Sequence, residues 1–393
     1  MRKVGIVSVG RSDYGIYLPI LRHIQSDADL KLILYVSGMH LSPDFGLTAR
    51  MIEADGFEIG ERVEMLLSSD SPEGIAKSIG LGVIGFSQAF HRTRPDILVV
   101  LGDRFDMYTA ALTALPFKIP VAHIHGGEVT SGALDDALRH SMTKLSHLHF
   151  VSTEVYRQRV EQLGEEPWRI VVSGAPGLDH LHSLEFLSKS EIESRYGVRL
   201  DHPPLLVTFH PVTLEFEQVE WQIGELLAAL DEIALPVIFT LPNADTGNSV
   251  IRRKIAEFTA TREKAWDIDN LGTQGYFSMM KVARMMVGNS SSGIIEAPSF
   301  RLPIVNIGTR QNGRVKAANV VDTGYTRNEI MQAIHTALEP GYLRSLENLE
   351  NPYGDGHASE KIIEHLKNIP LDEQLLVKKF WDVEYNHYGE KTK

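Results

Sequence analysis

Short apolar runs, each cut off by a small residue and then by polar or ionisable ones, recur along this chain and restrict its fold. In the first half the runs are residues 4–9, 32–36, 97–101, 119–124, 149–152 and 170–172. The first stops at Gly10-Arg11-Ser12-Asp13-Tyr14-Gly15, the second at Ser37-Gly38-Met39-His40, and the third at Gly102-Asp103-Arg104. The fourth stops at His125-Gly126-Gly127-Glu128. The pattern restarts with runs at 205–209, 237–240, 285–287 and 303–307. Helical patterns separate them, among them 16–24, 48–54 and 72–92. Uninterrupted apolar strands suit a sheet covered on both faces, and their alternation with helices predicts βαβ units in parallel sheets.

At 393 residues the chain is long for a single core, so two domains are expected. Ser173-Gly174-Ala175-Pro176-Gly177, rich in Gly and Pro, reads as the connection between them. The expected domains are residues 1–174, carrying the acid/base residues, and 175–370, carrying the ligand's anionic end. A C-terminal helix over 371–393, with Leu375, Leu376, Phe380 and Trp381, is expected to pack back on the first domain. The architecture is α/β, two Rossmann-like doubly wound domains facing one another across a cleft.

Hydrophobic content of 43% and charged content of 23% are those of a globular protein, and 51 acidic against 39 basic residues give a net charge of −12. This balance argues against nucleic acid or an anionic membrane as the main partner. No cysteine is present, which removes thiolate catalysis, disulfides and zinc–sulfur sites. No stretch has the roughly 20 apolar residues of a membrane span, and the N-terminal apolar run is too short for a signal peptide, so a cytoplasmic location is expected.

In open parallel sheets ligands bind outside the carboxyl ends of the strands, where this chain places its ionisable residues. Gly288-Asn289-Ser290-Ser291-Ser292-Gly293 precedes an expected helix over 294–300. Backbone N–H groups and hydroxyls there suit a diphosphate, while the plainer reading is a helix cap. It is not a Walker loop, because no Gly-Lys-Ser/Thr follows. Glu296, placed on the first turn of that helix, either favours the helix dipole or accepts ribose hydroxyls. Arg11 and Arg310 follow core strands in opposite halves and offer planar donor forks to phosphate. His210 after its strand is either a structural histidine or a contact to sugar or phosphate.

Asp103, His125, Glu128, Asp135 and Asp136 make the 97–140 stretch acidic. Asp135 with Arg139 and Asp136 with His140 have the i,i+4 spacing of ordinary helix-surface pairs. The alternative is acid/base work, in which neighbouring carboxylates acquire separated pKa values. A metal site from His123, His125 and Glu128 lacks the spacing of known metal motifs, and none is expected.

Taken together and in order, Gly10–Gly15, Gly102-Asp103-Arg104, His123-Ile124-His125-Gly126-Gly127-Glu128 and Asp135-Asp136-(x)2-Arg139-His140 resemble the hydrolysing UDP-N-acetylglucosamine 2-epimerases that feed sialic-acid-type sugar synthesis. Phe209-His210-Pro211-Val212-Thr213, Pro242-Asn243-Ala244-Asp245-Thr246-Gly247, Gly288-Asn289-Ser290-Ser291 and Gly308-Thr309-Arg310-Gln311 extend the resemblance over nearly the full length. It implies the glycosyltransferase-B fold, no cofactor, and commonly a homodimer or homotetramer. It also implies that UDP-sugar is the substrate and UDP a product: the C2 proton and UDP leave by anti elimination through 2-acetamidoglucal, and water then adds to give N-acetylmannosamine. Arg11, His210, Ser290, Ser291, Glu296 and Arg310 would contact the nucleotide or diphosphate, with Arg104, Arg139, Asn243, Gly288 and Asn289 also on the substrate. Asp103, a Glu of the HxxGGE segment and Asp135 would do the chemistry, with Asp136 beside them.

One departure stands out. Other hydrolysing members have the catalytic Glu at the third position of His-Ile-Glu-Gly-Gly-Glu, where this chain has His125, and its loop to Asp135 is one residue longer. Glu128 is the favoured replacement and His125 the alternative. The departure also points to the branch acting on UDP-2,4-diacetamido-2,4,6-trideoxyglucose (N,N'-diacetylbacillosamine) in legionaminic acid synthesis, the alternative to UDP-N-acetylglucosamine itself. A non-hydrolysing epimerase, a retaining glycosyltransferase of the same fold and a non-catalytic UDP-sugar binder are the remaining readings.

Overall fold

The computed structural model describes residues 1–69, 71–130, 134–240 and 248–383. The chain divides into two compact units, the first comprising Met1–Glu128, Leu134–Pro176 and a return from His357, the second built on Gly177–Gly356.

In the first unit the strands are β1 (Arg2–Ser8), β2 (Leu30–Ser37), β3 (Ile59–Val63), β4 (Ile97–Leu101), β5 (Val121–Ile124), β6 (Leu148–Val151) and β7 (Ile170–Val172). They form one parallel sheet in the order β3-β2-β1-β4-β5-β6-β7. Every residue of β4 is buried, as its unbroken Ile-Leu-Val-Val-Leu sequence requires. The strand order reverses between β1 and β4, which makes their carboxyl ends the switch point where a doubly wound sheet opens a binding crevice.

The second unit repeats the plan with β8 (Leu205–Thr208), β9 (Val237–Thr240), β10 (Ala265–Ile268), β11 (Met285–Gly288), β12 (Ile304–Ile307) and β13 (Val320–Thr323). The order is β10-β9-β8-β11-β12-β13, again all parallel, with the reversal between β8 and β11. Among the described residues no helix is long and apolar enough to cross a membrane.

Three features differ from the sequence reading. Strands β3, β10 and β13, absent from it, all lie at sheet edges. There the chain is covered less completely, and Ile-Gly-Glu-Arg-Val or Val-Val-Asp-Thr lacks the apolar run of an interior strand. The return to the first unit begins earlier than the expected helix over 371–393, at Ala358–Asn368, whose Ile362, Ile363 and Leu366 enter the first core; Leu371 and Leu375 of the expected stretch also pack there, and residues 384–393 lie outside the described residues. Beyond Asn368 only Glu373–Leu376 is helical among the described residues. Arg169 holds that turn by donating to the carbonyls of Leu375 at 2.8 Å, Gln374 at 2.9 Å and Val377 at 3.1 Å. Phe380 and Trp381, expected within the helix over 371–393, are exposed. Finally, the expected helix over 294–300 is one turn, Ser292–Ile295, followed by a 3-10 turn Ala297–Phe300 with Pro298 at its start.

Candidate active site

The first unit gathers its ionisable residues at the β1–β4 switch point and along the adjoining end of β5. Gly102 turns the chain out of β4 with φ 75°. The Asp103 that follows pairs with the buried Arg139 of helix Leu134–Leu145. Arg139 also donates to the His125 carbonyl at 3.0 Å, so one guanidinium ties the ends of β4 and β5 together. The i,i+4 pairing of Asp135 with Arg139 is thus replaced by a longer-range one, whereas Asp136 and His140 do form the helix-surface pair, at 3.5 Å. Burial, and after it the Asp103 charge, push the Asp135 carboxyl up to about 6. A carboxyl held there retains a proton close to neutrality, the property a general acid needs.

Beside this group Arg104 clamps Asp106 through Nε at 3.1 Å and a terminal nitrogen at 3.0 Å. Arg104 is thereby occupied by a carboxylate in the first turn of the helix that it caps, Phe105–Ala114. Arg11 is exposed at the first position of helix Arg11–Ser26. His123 bonds through Nε2 to the Gly102 carbonyl at 2.8 Å and through Nδ1 to Thr143 at 3.3 Å, and burial depresses its pKa to about 3. It stays neutral and braces the β4 turn. Among the described residues no group of three or more His, Asp or Glu side chains is arranged to hold a metal ion.

His125 and Glu128 are both buried, and Nδ1 of the imidazole lies 2.6 Å from Oε1 of the carboxylate. Ser152, at the end of β6, contacts the imidazole Nδ1 at 2.9 Å and donates to the same carboxylate oxygen at 3.0 Å. Nothing in the motif pattern marked Ser152; only the β5–β6 pairing brings it here.

Asp13 was present in the sequence only as part of a loop motif. Its carboxylate is buried and accepts from Ser8 Oγ at 2.7 Å and the Val9 N–H at 2.9 Å. Ser8 in turn contacts His40 at 2.9 Å. Desolvation raises the Asp13 pKa to about 6, against the lowering effect of these hydrogen bonds. A carboxyl whose folded pKa is raised favours the fold when protonated and loses that contribution as pH rises through about 6. Relative to Asp13→Asn, the native protein is therefore expected to lose about 2 kcal/mol of stability between pH 4 and pH 8. Denaturant midpoints of the two proteins across that range measure it; parallel curves would contradict the assignment.

The second unit organises its switch point around Asn289, which is fully buried. Its side chain accepts from the His210 N–H at 2.7 Å and donates to the His210 carbonyl at 2.8 Å, stapling the loop after β8 to the loop after β11. Its carbonyl accepts from Arg310 at 2.9 Å and Gln311 at 2.8 Å, both after β12. The Asn289 side chain thus organises the loops, its polar atoms taken up by His210. The His210 ring is kept neutral, its pKa depressed to about 3 by burial and then by Arg310. Its Nδ1 is buried with no hydrogen-bond partner among the described residues.

Around the serine loop, Gly288 has φ 137°, and Ser290 Oγ accepts from the Ser292 N–H at 3.3 Å, while Ser291 at the cap position makes no side-chain capping bond. Ser290 and Ser291 are partly exposed. Glu296 ends the single helical turn instead of sitting in its first turn, and it stands at the cap position of the 3-10 turn Ala297–Phe300, in which Pro298 lies. It lies close enough to Tyr276 to act on it electrostatically. The Tyr276 hydroxyl sits among Ser292, Thr208 and Ser290, and burial pushes its pKa up to about 12. Tyr276 escaped the sequence reading because its helix, Gly272–Val282, shows only apolar periodicity. Asn243 lies outside the described residues.

The fold is of the glycosyltransferase-B class. A crystal structure of UDP-GlcNAc 2-epimerase from Neisseria meningitidis bound to UDP-GlcNAc matches with a TM-score of 0.79, covering 93% of this chain and 99% of that one at 20% identity. Residues 22–367 match the sequence profile described as UDP-N-acetylglucosamine 2-epimerase, and the chain belongs to that family. It is 40% identical, over 97% of its length and 99% of the relative's, to the GDP/UDP-N,N'-diacetylbacillosamine 2-epimerase (hydrolyzing) of Campylobacter jejuni. With the UDP-N,N'-diacetylbacillosamine 2-epimerase (hydrolyzing) of Legionella pneumophila it shares 37% identity, over 96% of this chain and 99% of the relative. Between the two substrates weighed from sequence, these relatives favour the diacetamido sugar over UDP-N-acetylglucosamine.

Proposed function

We propose that this chain is a hydrolysing UDP-sugar 2-epimerase whose substrate is UDP-2,4-diacetamido-2,4,6-trideoxyglucose, converted with water to UDP and the free C2-inverted sugar. The observation that carries the reading is the near full-length identity to two relatives named for that substrate and that reaction. In the elimination step the C2–H bond breaks and its electron pair forms the C1=C2 double bond. The C1–O bond breaks with its pair leaving on UDP. In the second step the pair of the C1=C2 double bond takes up a proton at C2 from the opposite face, the water oxygen bonds to C1, and the proton that water loses passes to a carboxylate of the site. A sugar C2–H is a weak acid, so its loss must be coupled to stabilisation of the departing diphosphate.

In this reading Arg310, His210 and the hydroxyls and amides of Ser290 and Ser291 hold the diphosphate, and Glu296 takes the ribose. Arg11 is assigned to the same anionic group of the substrate. Asp103 and Asp135 share the acid/base work, Asp135 being the one held protonated nearer neutrality. Arg104 and Arg139, each occupied by a carboxylate, serve as positioning groups. A cytoplasmic location and a homodimeric or homotetrameric assembly belong to the same reading.

The purified protein is expected to release UDP from the diacetamido-trideoxy substrate at least tenfold faster, by kcat/KM, than from UDP-N-acetylglucosamine, with the free manno-configured sugar as co-product in each case. Proton NMR of the product and a coupled UDP assay follow both outputs. Faster turnover of UDP-N-acetylglucosamine would restore the simpler substrate. Appearance of an epimerised sugar still attached to UDP would assign the non-hydrolysing reaction.

A further inference from the structure

His125 occupies the position at which the resembled enzymes carry a carboxylate, and the backbone there is built to fix an imidazole. β5 ends at Ile124, and His125 itself adopts the left-handed conformation, φ 65°, uncommon for a residue with a side chain. Gly127 follows with φ 76°, and a Cβ on it would come within 2.6 Å of the Tyr156 carbonyl. These two turns fold the loop back so that Glu128, three residues on, reaches the His125 ring. The main chain of His125 is held at both ends, its N–H donating to the Phe150 carbonyl at 3.0 Å and its carbonyl accepting from Arg139.

With Glu128 as a carboxylate, which can only accept, the 2.6 Å contact between Glu128 Oε1 and His125 Nδ1 requires the proton on Nδ1. Ser152 closes the triangle, its hydroxyl oxygen beside Nδ1 and its proton directed to Glu128. Both carboxylate contacts thus fix one tautomer, in which Nε2 carries the lone pair. Glu128 is 3% exposed and committed to this ring, and His125 is 8% exposed. Arg139 couples the arrangement to Asp103, because the same guanidinium serves both.

We propose that His125 Nε2 is the base that takes the C2 proton, and that Glu128 and Ser152 are positioning residues acting through its Nδ1. This rests on the epimerase reading above and reverses the order of preference that sequence suggested, in which Glu128 acts directly. The proton passes from C2 to Nε2, the C2–H pair becomes the C1=C2 bond, and the C1–O pair departs on UDP. The resulting imidazolium is stabilised by Glu128 and returns its proton to solvent. Charged neighbours of the site are Asp103 after β4, Asp135 and Arg139 on helix Leu134–Leu145, and Arg159, which donates to the Gly127 carbonyl. His123 on β5 is neutral.

His125→Gly suits the left-handed backbone and removes the ring without forcing the fold, which circular dichroism and thermal unfolding check. It is expected to lower kcat for UDP release by about 10³-fold, within the range for a lost general base, and added imidazole is expected to restore part of the rate. Glu128→Gln is expected to lower kcat by about 10- to 100-fold with KM little changed, as loss of an orienting partner does elsewhere. Combined, His125→Gly and Glu128→Gln should be no slower than His125→Gly alone. Ser152→Ala should give a smaller loss in kcat. Losses that multiply in the double variant, or the absence of imidazole rescue in the folded His125→Gly protein, would overturn the proposal and return the direct role to Glu128. Failure of the native protein to turn over any UDP-sugar would instead reject the epimerase reading, so the two failures are distinguishable.

Discussion

Asp103→Asn is expected to lower kcat for UDP release by about 10³-fold while leaving the protein folded at 25 °C. The loss of a positioned acid/base carboxylate accounts for a decrease of that order. Two further effects follow from the geometry. Arg139 is buried, and the substitution removes the charged partner of one guanidinium nitrogen while the bond to the His125 carbonyl remains. Losing that buried charge-assisted bond costs about 2 kcal/mol, read as a lowered denaturant midpoint. Asp135 also loses the second-largest cause of its raised pKa, with burial remaining, so its value falls below about 6. The pH above which a protonated Asp135 is lost therefore moves down, and the basic limb of any residual activity moves with it. An Asp103→Asn protein with native kcat and an unmoved pH profile would remove Asp103 from the chemistry.

Gly288→Ala is expected to have the largest effect on the second unit. Gly288 closes β11 with φ 137°, and a Cβ there would lie 1.9 Å from the Thr208 carbonyl of the neighbouring strand. The obstacle is main chain, so no side-chain rotation relieves it, and β8 and β11 would have to separate at the switch point. A destabilisation above about 3 kcal/mol is expected, combining the strain of an unfavourable φ with displacement of packed strands. The staple from Asn289 to His210 follows directly in the chain and would be disturbed too, so UDP affinity measured by calorimetry should fall at least tenfold. Gly224→Ala is the control: it sits in helix Val219–Asp231, its Cβ would meet nothing within 4 Å, and it should be neutral or slightly stabilising.

Both predictions fall on positions that sequence had singled out, yet for reasons it did not contain. The third residue of the His-Ile-His-Gly-Gly-Glu segment shows the difference. Spacing left His125 and Glu128 as rivals for one role. In the folded chain they are partners, because a left-handed turn at His125 brings a residue three positions away onto its own ring. Asn289, expected on the substrate, spends its side chain on the His210 backbone, a contact between residues 79 apart in sequence. Glu296 was misplaced by one helical turn because Pro298 breaks the segment that apolar periodicity had joined.

What the amino-acid order determined by itself was the set of interior strands, the alternation that makes the sheets parallel, and the families of polar residues delivered to their carboxyl ends. Those properties are local: burial on both faces demands a continuous apolar run, and each run announces its own end. Edge strands β3, β10 and β13 escaped because burial on fewer sides relaxes that demand. The choice of partner was decided only by tertiary structure. Arg139 has Asp135 four residues away and pairs with Asp103, 36 residues away, since Asp103 is delivered beside it by β4 while Asp135 is held by burial and like charge nearer its neutral form. Ionisable side chains satisfy one another through space, and sheet order, not sequence spacing, sets which of them meet.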